Sequence, residues 1–318
     1  MLDTYRGQRH GARAHKERKA VMARKVLTLA ELGEQTCRTV VQQAIGIPDA
    51  KMRSDFLEEK IAVLLFAQPS LPERLCVTAA VRQMGGATIY QDDSYKIWDR
   101  EFDTYQSSLM PIFSCYMDCL YIYGIQLAAL EGNENVPLPV INAGSPDAHP
   151  AHALADIACM QRAARYLSNV EIAWLGCDNG TLHSLVAATK YFPLTLRVAM
   201  PASVDPAPLM ALVEQHSGGK GQTLLVDSKD DAINDASFVF AGCRGDMSDQ
   251  EVEDWLLGPD VMAKASPKAK ILLGARPFNA IVVAPELLAS QASLLVSQSE
   301  CRLRVHKRLL HWVFEDQA

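Results

Sequence analysis

The sequence predicts an α/β fold, two doubly wound parallel-sheet domains in one chain, and three observations predict it. Short apolar runs of strand length alternate with segments of helical length along most of the chain, the pattern of parallel strands joined by crossover helices. The chain has 318 residues, enough for two domains with cores of their own. A long helical stretch, 149–167, falls near the middle, where it can join them.

The elements follow in order. A helix over 28–46 precedes the run Ile61–Phe66, which is too short for a helix and lacks polar alternation, as a strand buried on both faces does. Ser70–Met84 reads as a helix stopped by Gly85-Gly86. Thr88–Tyr90 is a short strand, 100–115 a helix, Cys119–Ile122 a strand, 124–131 a helix and Pro139–Asn142 a strand. After the joining helix come strand Glu171–Leu175, helix 179–190, strand Thr195–Ala199, helix 207–216, strands Thr223–Val226 and Ser237–Ala241, helix 248–257, strand Lys270–Leu273 and a final helix Glu300–Phe314.

Charge and composition exclude several classes of function. The net charge of −6 conceals an asymmetry: residues 1–25 hold eight Lys and Arg against Asp3 and Glu17, which leaves −12 on the rest. An acidic body does not suit a nucleic-acid binder. The basic arm reads as a solvated tail; it has no apolar core for a secretory signal and no serine for a transit peptide. The longest apolar run, 61–67, is far short of a membrane span. Eight cysteines without a CxxC pair fit a reducing, cytoplasmic setting better than a disulfide scaffold or a zinc site. No cofactor and no metal is expected.

Ligands of doubly wound sheets bind at the loops after the carboxyl ends of the strands. Six such loops should face one cleft: 67–73, 123–124, 143–149, 176–180, 242–247 and 274–277. None carries a dinucleotide fingerprint, since Gly176-Cys177-Asp178-Asn179-Gly180-Thr181 fails GxGxxG, and P-loop, GxSxG and HExxH motifs are absent.

Four stretches carry a resemblance. His149-Pro150-Ala151-His152-Ala153-Leu154-Ala155-Asp156 resembles H-P-x-Q-x-L-x-D, and Asn179-Gly180-Thr181-Leu182-His183-Ser184 resembles N-N-x-L-H-S. Ser299-Glu300-Cys301-Arg302-Leu303 resembles A-E-N-R-[LM], and Ala23–Leu29 resembles the start of the same enzymes. These are patterns of the ornithine and aspartate carbamoyltransferase family, nearer the ornithine branch. The resemblance implies a basic extension at 1–22, a carbamoyl-phosphate-type domain at 23–150 completed by the C-terminal helix 298–318, and an amino-acid-binding-type domain at 151–297. It also implies a homotrimer with sites at subunit interfaces. His149, which in the family donates to the carbamoyl oxygen, and Arg302 are the catalytic candidates.

Departures from the family pattern bear on function. On the donor side S-T-R-T-R becomes Ser70-Leu71-Pro72-Glu73-Arg74, a family arginine aligns with Tyr123, and the glutamine of H-P-x-Q with His152. On the acceptor side Asn179 is kept, but its neighbour is Gly180. The aspartate and serine of D-x-x-x-S-M-G become Gly242 and Asp246, leaving Met247. The cysteine of H-C-L-P becomes Ala275, followed by Arg276. Hydrogen bonds to charged groups are worth about 1.5–3 kcal/mol each, so losing two guanidinium contacts removes about 3–6 kcal/mol. That is a factor of roughly 10²–10⁴ in affinity for carbamoyl phosphate. Ser70-x-x-Glu73 reads as a capping box, and His152 and His183 as structural histidines. Glycines 242 and 180 cannot hold an amino acid's ammonium or carboxylate, whereas Arg276 and Arg244 shift the pocket toward a small anion.

The expectation is a family member lacking ornithine carbamoyltransferase activity, degenerate or non-catalytic. The alternatives are a repurposed transferase using another acyl-type donor and an anionic acceptor, or a binding and assembly partner. Neither nucleic acid nor membrane is expected as a partner.

Overall fold

The computed structural model describes residues 23–92, 110–130, 137–168, 170–245, 247–274 and 282–315. Two five-stranded sheets, each wholly parallel, form its frame. The first contains β1 (Lys25–Val26), β2 (Ile61–Phe66), β3 (Ala87–Asp92), β4 (Cys119–Tyr123) and β5 (Val140–Asn142), in the order β1-β5-β4-β2-β3. The second contains β6 (Val170–Leu175), β7 (Leu194–Ala199), β8 (Gln222–Leu225), β9 (Phe238–Ala241) and β10 (Lys270–Leu273), in the order β10-β9-β6-β7-β8. β4 is buried along its whole length and β6 at all but Glu171. Burial on both faces is why such strands read as continuous apolar runs.

The helices are α1 (Leu29–Gly46), α2 (Leu71–Gln83), α3 (Pro150–Ala164), α4 (Gly180–Thr189), α5 (Ala207–Gln215), α6 (Lys229–Ile233), α7 (Asp249–Asp254), α8 (Pro259–Met262), α9 (Pro285–Leu288) and α10 (Leu295–Phe314). α3 is the hub: every residue from Pro150 to Met160 is buried. Alanines at 151, 153, 155 and 158 let α1, α4 and α10 pack on it. α10 then runs back across α1 and α2. There Arg304 Nε donates to Ile47 O (3.1 Å), and Lys307 Nζ donates to Ala50 O (2.7 Å) and Met52 O (2.6 Å). No helix among the described residues is long and apolar enough to cross a membrane.

Several boundaries differ from the sequence expectation. The 124–131 helix is only a 3-10 turn, Leu127–Leu130, whose Leu127 N–H donates to Asp147 Oδ2. The joining helix stops at Ala164 because Arg165 turns to φ 68°, and α10 starts five residues earlier than expected. The helix expected over 248–257 shortens to α7. β1, α6, α8 and α9 were not anticipated. Residues 100–109 of the 100–115 helix lie outside the described residues; 110–113 are helical.

The strand orders fix where a crevice opens. β2 lies between β3 and β4, and β6 between β7 and β9, so connections leave to opposite sides at each centre. Both are topological switch points, where loops diverge and leave space for a ligand.

Candidate functional site

All six strand-end loops contribute to one cleft of about 750 Å³ between the sheets. Of the residues singled out from the sequence, Ser70, Leu71, Pro72, His149, His152, Asn179 and Gly180 line it. Glu73, Tyr123, Gly242, Met247 and Arg302 are buried but do not line it. Asp246, Ala275 and Arg276 lie outside the described residues.

On the side of the first sheet, Ser70 caps α2, its Oγ accepting from Glu73 N–H at 3.5 Å. Only this half of the expected capping box forms. Instead of returning to the cap, the Glu73 side chain, 1% exposed, turns inward and places Oε1 2.7 Å from His152 Nε2. His152 is 5% exposed, and its ring stacks on that of His149 with centroids 3.4 Å apart and planes 16° apart. His149 stands just before α3, with its backbone N–H donating to Ser184 Oγ (2.8 Å). Among the described residues, both ring nitrogens of His149 and Oε2 of Glu73 have no hydrogen-bond partner. His152, read from the sequence as a structural histidine, lines the cleft and pairs with the buried Glu73 behind it.

Arg302 of α10 stands beside this group, 8% exposed and with its Nε unpartnered among the described residues. Burial pushes Glu73 up, but His152, His149 and Arg302 outweigh it and hold the carboxyl below the usual carboxylate range. Burial, the other histidine and Arg302 hold His149 well below the ordinary imidazole value, and burial with Arg302 lowers His152 despite the pull of Glu73. With Glu73 held ionised, its Oε1 accepts the hydrogen bond from His152 Nε2–H.

Three further buried groups had not been singled out. Asp156 accepts from Gln298 Nε2 (2.7 Å), and burial raises its carboxyl to about 7 against the pull of Arg302 and Gln298. Gln298 Nε2 also donates to Leu273 O, tying α10 to the end of β10. His306, fully buried against Tyr121, is pushed down to about 4, chiefly by burial.

Two further guanidinium groups near these loops are engaged elsewhere. Arg74 lies 3.8 Å over the Tyr90 ring and is exposed, and Arg244 pairs with Asp249 at 2.5 Å. Tyr123 stacks on Phe66 at 4.8 Å. Among the described residues that line the cleft there is no Lys or Arg.

On the side of the second sheet, Asn179 caps α4. Its Oδ1 accepts from Thr181 N–H (2.9 Å) and Leu182 N–H (3.0 Å), and its Nδ2 donates to Gly274 O (3.0 Å). The amide is thus engaged by the fold. A Cβ at Gly180 would lie 2.3 Å from Ser145 O. One at Gly242 would lie 2.9 Å from Leu175 O and 3.0 Å from Trp174 Nε1, and one at Gly274 would lie 2.2 Å from Trp174 Cη2. The indole of Trp174, 0% exposed, fills space that side chains at 242 and 274 would need. Sequence reasoning missed Trp174 because an aromatic residue in an apolar strand reads as ordinary core. His183, read from the sequence as a structural histidine, is paired with Asp178 at 2.8 Å and lies 3.0 Å from Asp147 O.

A family model for the aspartate/ornithine carbamoyltransferase carbamoyl-P binding domain matches residues 24–162, and one for the Asp/Orn binding domain matches 168–313. The chain is 27% identical over 297 residues to the ornithine carbamoyltransferase of Nitratidesulfovibrio vulgaris (strain DP4), covering 91% of this chain and 98% of that protein. It is 27% identical over 264 residues to that of Mesorhizobium japonicum, covering 80% and 86%. Among solved structures, ornithine carbamoyltransferase from Thermus thermophilus aligns with TM-score 0.80 at 21% identity, covering 91% of this chain and 98% of that one. The mitochondrial enzyme from Coccidioides immitis aligns with TM-score 0.80 at 21% identity, covering 91% and 96%.

Proposed function

The chain belongs to the aspartate/ornithine carbamoyltransferase family, and we propose that it is a member without ornithine carbamoyltransferase activity, its cleft serving a different ligand. The observation that carries this reading is the buried Glu73 carboxylate, which stands in the donor loop and pairs with His152. Carbamoyl phosphate is a dianion that wants guanidinium forks and backbone N–H donors. At an effective dielectric of about 20, a dianion roughly 6 Å from a carboxylate meets about 5 kcal/mol of repulsion. Arg302 offsets this only in part, because Glu73 already draws on its charge. The positions expected to hold the acceptor point the same way: at 180 and 242 backbone and indole atoms stand where a side chain would start, and Asn179 is engaged by the helix it caps.

A repurposed transferase is the second reading, favoured by the open cleft and by His149, a cleft-lining acid-base side chain whose ring nitrogens have no hydrogen-bond partner among the described residues. With no Lys or Arg among the described residues of the cleft wall, an anionic acceptor in this reading depends on Arg302 and on the region of Arg276. The family resemblance extends the reading to a homotrimer, for which light scattering at micromolar concentration is the check.

Incubation of the purified protein with carbamoyl phosphate and ornithine should give no citrulline. Turnover in the ordinary enzyme range of about 1–10³ s⁻¹ defeats the proposal.

A further inference from the structure

We propose that Glu73, His149 and His152 form a binding site for a divalent transition-metal ion, with Zn²⁺ as the reference ion. One donor atom from each lies within 4.8 Å of the other two. Two imidazoles and one carboxylate make a common three-residue donor set for zinc sites that keep a fourth position open. Both histidines belong to the cleft wall, the side from which a fourth ligand would reach such an ion.

The chain positions the set from two helices. His149, just before α3, and His152, in its first turn, are brought together by the stacking of their rings. Glu73 comes from the first turn of α2, where the Ser70 cap fixes its backbone. The donors are buried, so water competes weakly for them. Both His149 nitrogens and Glu73 Oε2 lack partners among the described residues. A buried polar atom without a partner costs free energy, and a shared cation satisfies one nitrogen of His149 and Glu73 Oε2 together.

Two features oppose binding and set what must move. Metal–ligand bonds of about 2.0–2.2 Å place tetrahedral donors roughly 3.4 Å apart, so the set must contract. The stacked rings must also turn so that their lone pairs converge. His149 can do this without breaking a hydrogen bond, since its ring makes none among the described residues. Arg302 adds a positive charge close by, so the site is expected to be weaker than one with a purely anionic surround.

The test uses the full chain, stripped with a chelator and titrated with ZnCl₂ by calorimetry. The expected result is one Zn²⁺ per chain with micromolar or tighter affinity, weakened more than about 100-fold by His149→Ala and by Glu73→Gln, beyond the loss of a supporting hydrogen bond. His216→Ala, away from the cleft, should leave it unchanged. Co²⁺ bound to the unaltered chain should give the visible bands of a four-coordinate nitrogen and oxygen site without a thiolate charge-transfer band, a readout that survives if a variant fails to fold. Absence of stoichiometric binding, a thiolate band, or affinity indifferent to both variants (as for an ion held by the tail histidines His10 and His15) overturns the proposal.

Discussion

Replacing Glu73 and His152 by glutamine, singly and together, measures whether two departures from the family pattern form one unit. At neutral pH Glu73→Gln removes a carboxylate that acts on both His152 and Arg302, and leaves the guanidinium buried beside an amide. Breaking a buried charged pair by deleting one partner costs about 3–5 kcal/mol. His152→Gln keeps Glu73 and Arg302 together but replaces a charge-assisted hydrogen bond of 2.7 Å, a loss of about 1.5–3 kcal/mol. In the double variant the two amides can bond to each other, so the losses should fall short of the sum by about 1–3 kcal/mol. Urea denaturation followed by the fluorescence of the four tryptophans, in chelator and at pH 7.5, reads these quantities. The m-values must agree across the variants for the comparison to hold. Additivity within about 0.5 kcal/mol, with each single variant near the parent, would falsify the claim that the two residues act as a pair.

Between pH 7.5 and 5 two buried groups titrate with opposite signs: Asp156, raised to about 7, adds stability as the pH falls, whereas His306 loses it. His306 is held at about 4 against an ordinary 6.5, so its stability contribution is complete above pH 6.5 and declines as the pH falls toward 4, by about 3 kcal/mol in all. His149 and His152 add the same sign, whereas Glu73 acts only below the usual carboxylate range. His306→Leu should make stability fall less, or rise more, as the pH drops from 7.5 to 5, and an unchanged slope would exclude this role. Putting side chains back on the second-sheet side should harm the protein: Gly180→Asn meets Ser145 O, and Gly274→His meets the Trp174 indole. Each should cost about 2–3 kcal/mol or more without producing citrulline, and wild-type melting of either variant would contradict the close approaches. Trp174→Val should relieve the strain of the Gly274 variant but not that of the Gly180 variant.

The fold was legible because its signals are local. Ile61–Phe66 and Lys270–Leu273 are apolar runs of strand length, and Ser70 and Gly85 punctuate α2 in the usual way. β1, with two residues, is too short to show a period, and the end of α3 depends on a left-handed Arg165 that no composition rule marks. The convergence of the loops followed from topology, and Ser70 and His149 could be found from motif matches. What the Glu73 side chain does could not be read in the same way. Its spacing from Ser70 fits a cap, and the partner that draws it inward is 79 residues away. The clue was indirect: an acid and a histidine both replace residues of one donor pattern, and two unusual residues in one site are candidates to compensate each other. Trp174 gave no clue, since its effect on positions 242 and 274 exists only in three dimensions.

The return of α10 has a consequence for biogenesis. A ribosome makes the chain from residue 1 onward, yet the seat formed by α1, α2 and the 47–52 carbonyls is filled by residues 295–314. β6 to β10 and their helices can settle while that seat is still empty, so the second half of the chain has the opportunity to fold before the first is complete. Until α10 arrives, Leu29, Val40 and Val77, buried in the same apolar core as Val305 and Leu309, have only part of their final cover. The nascent first half is therefore the stretch most exposed to misassociation and to chaperone capture, and a stop codon before Leu295 harms it more than its distance in sequence suggests.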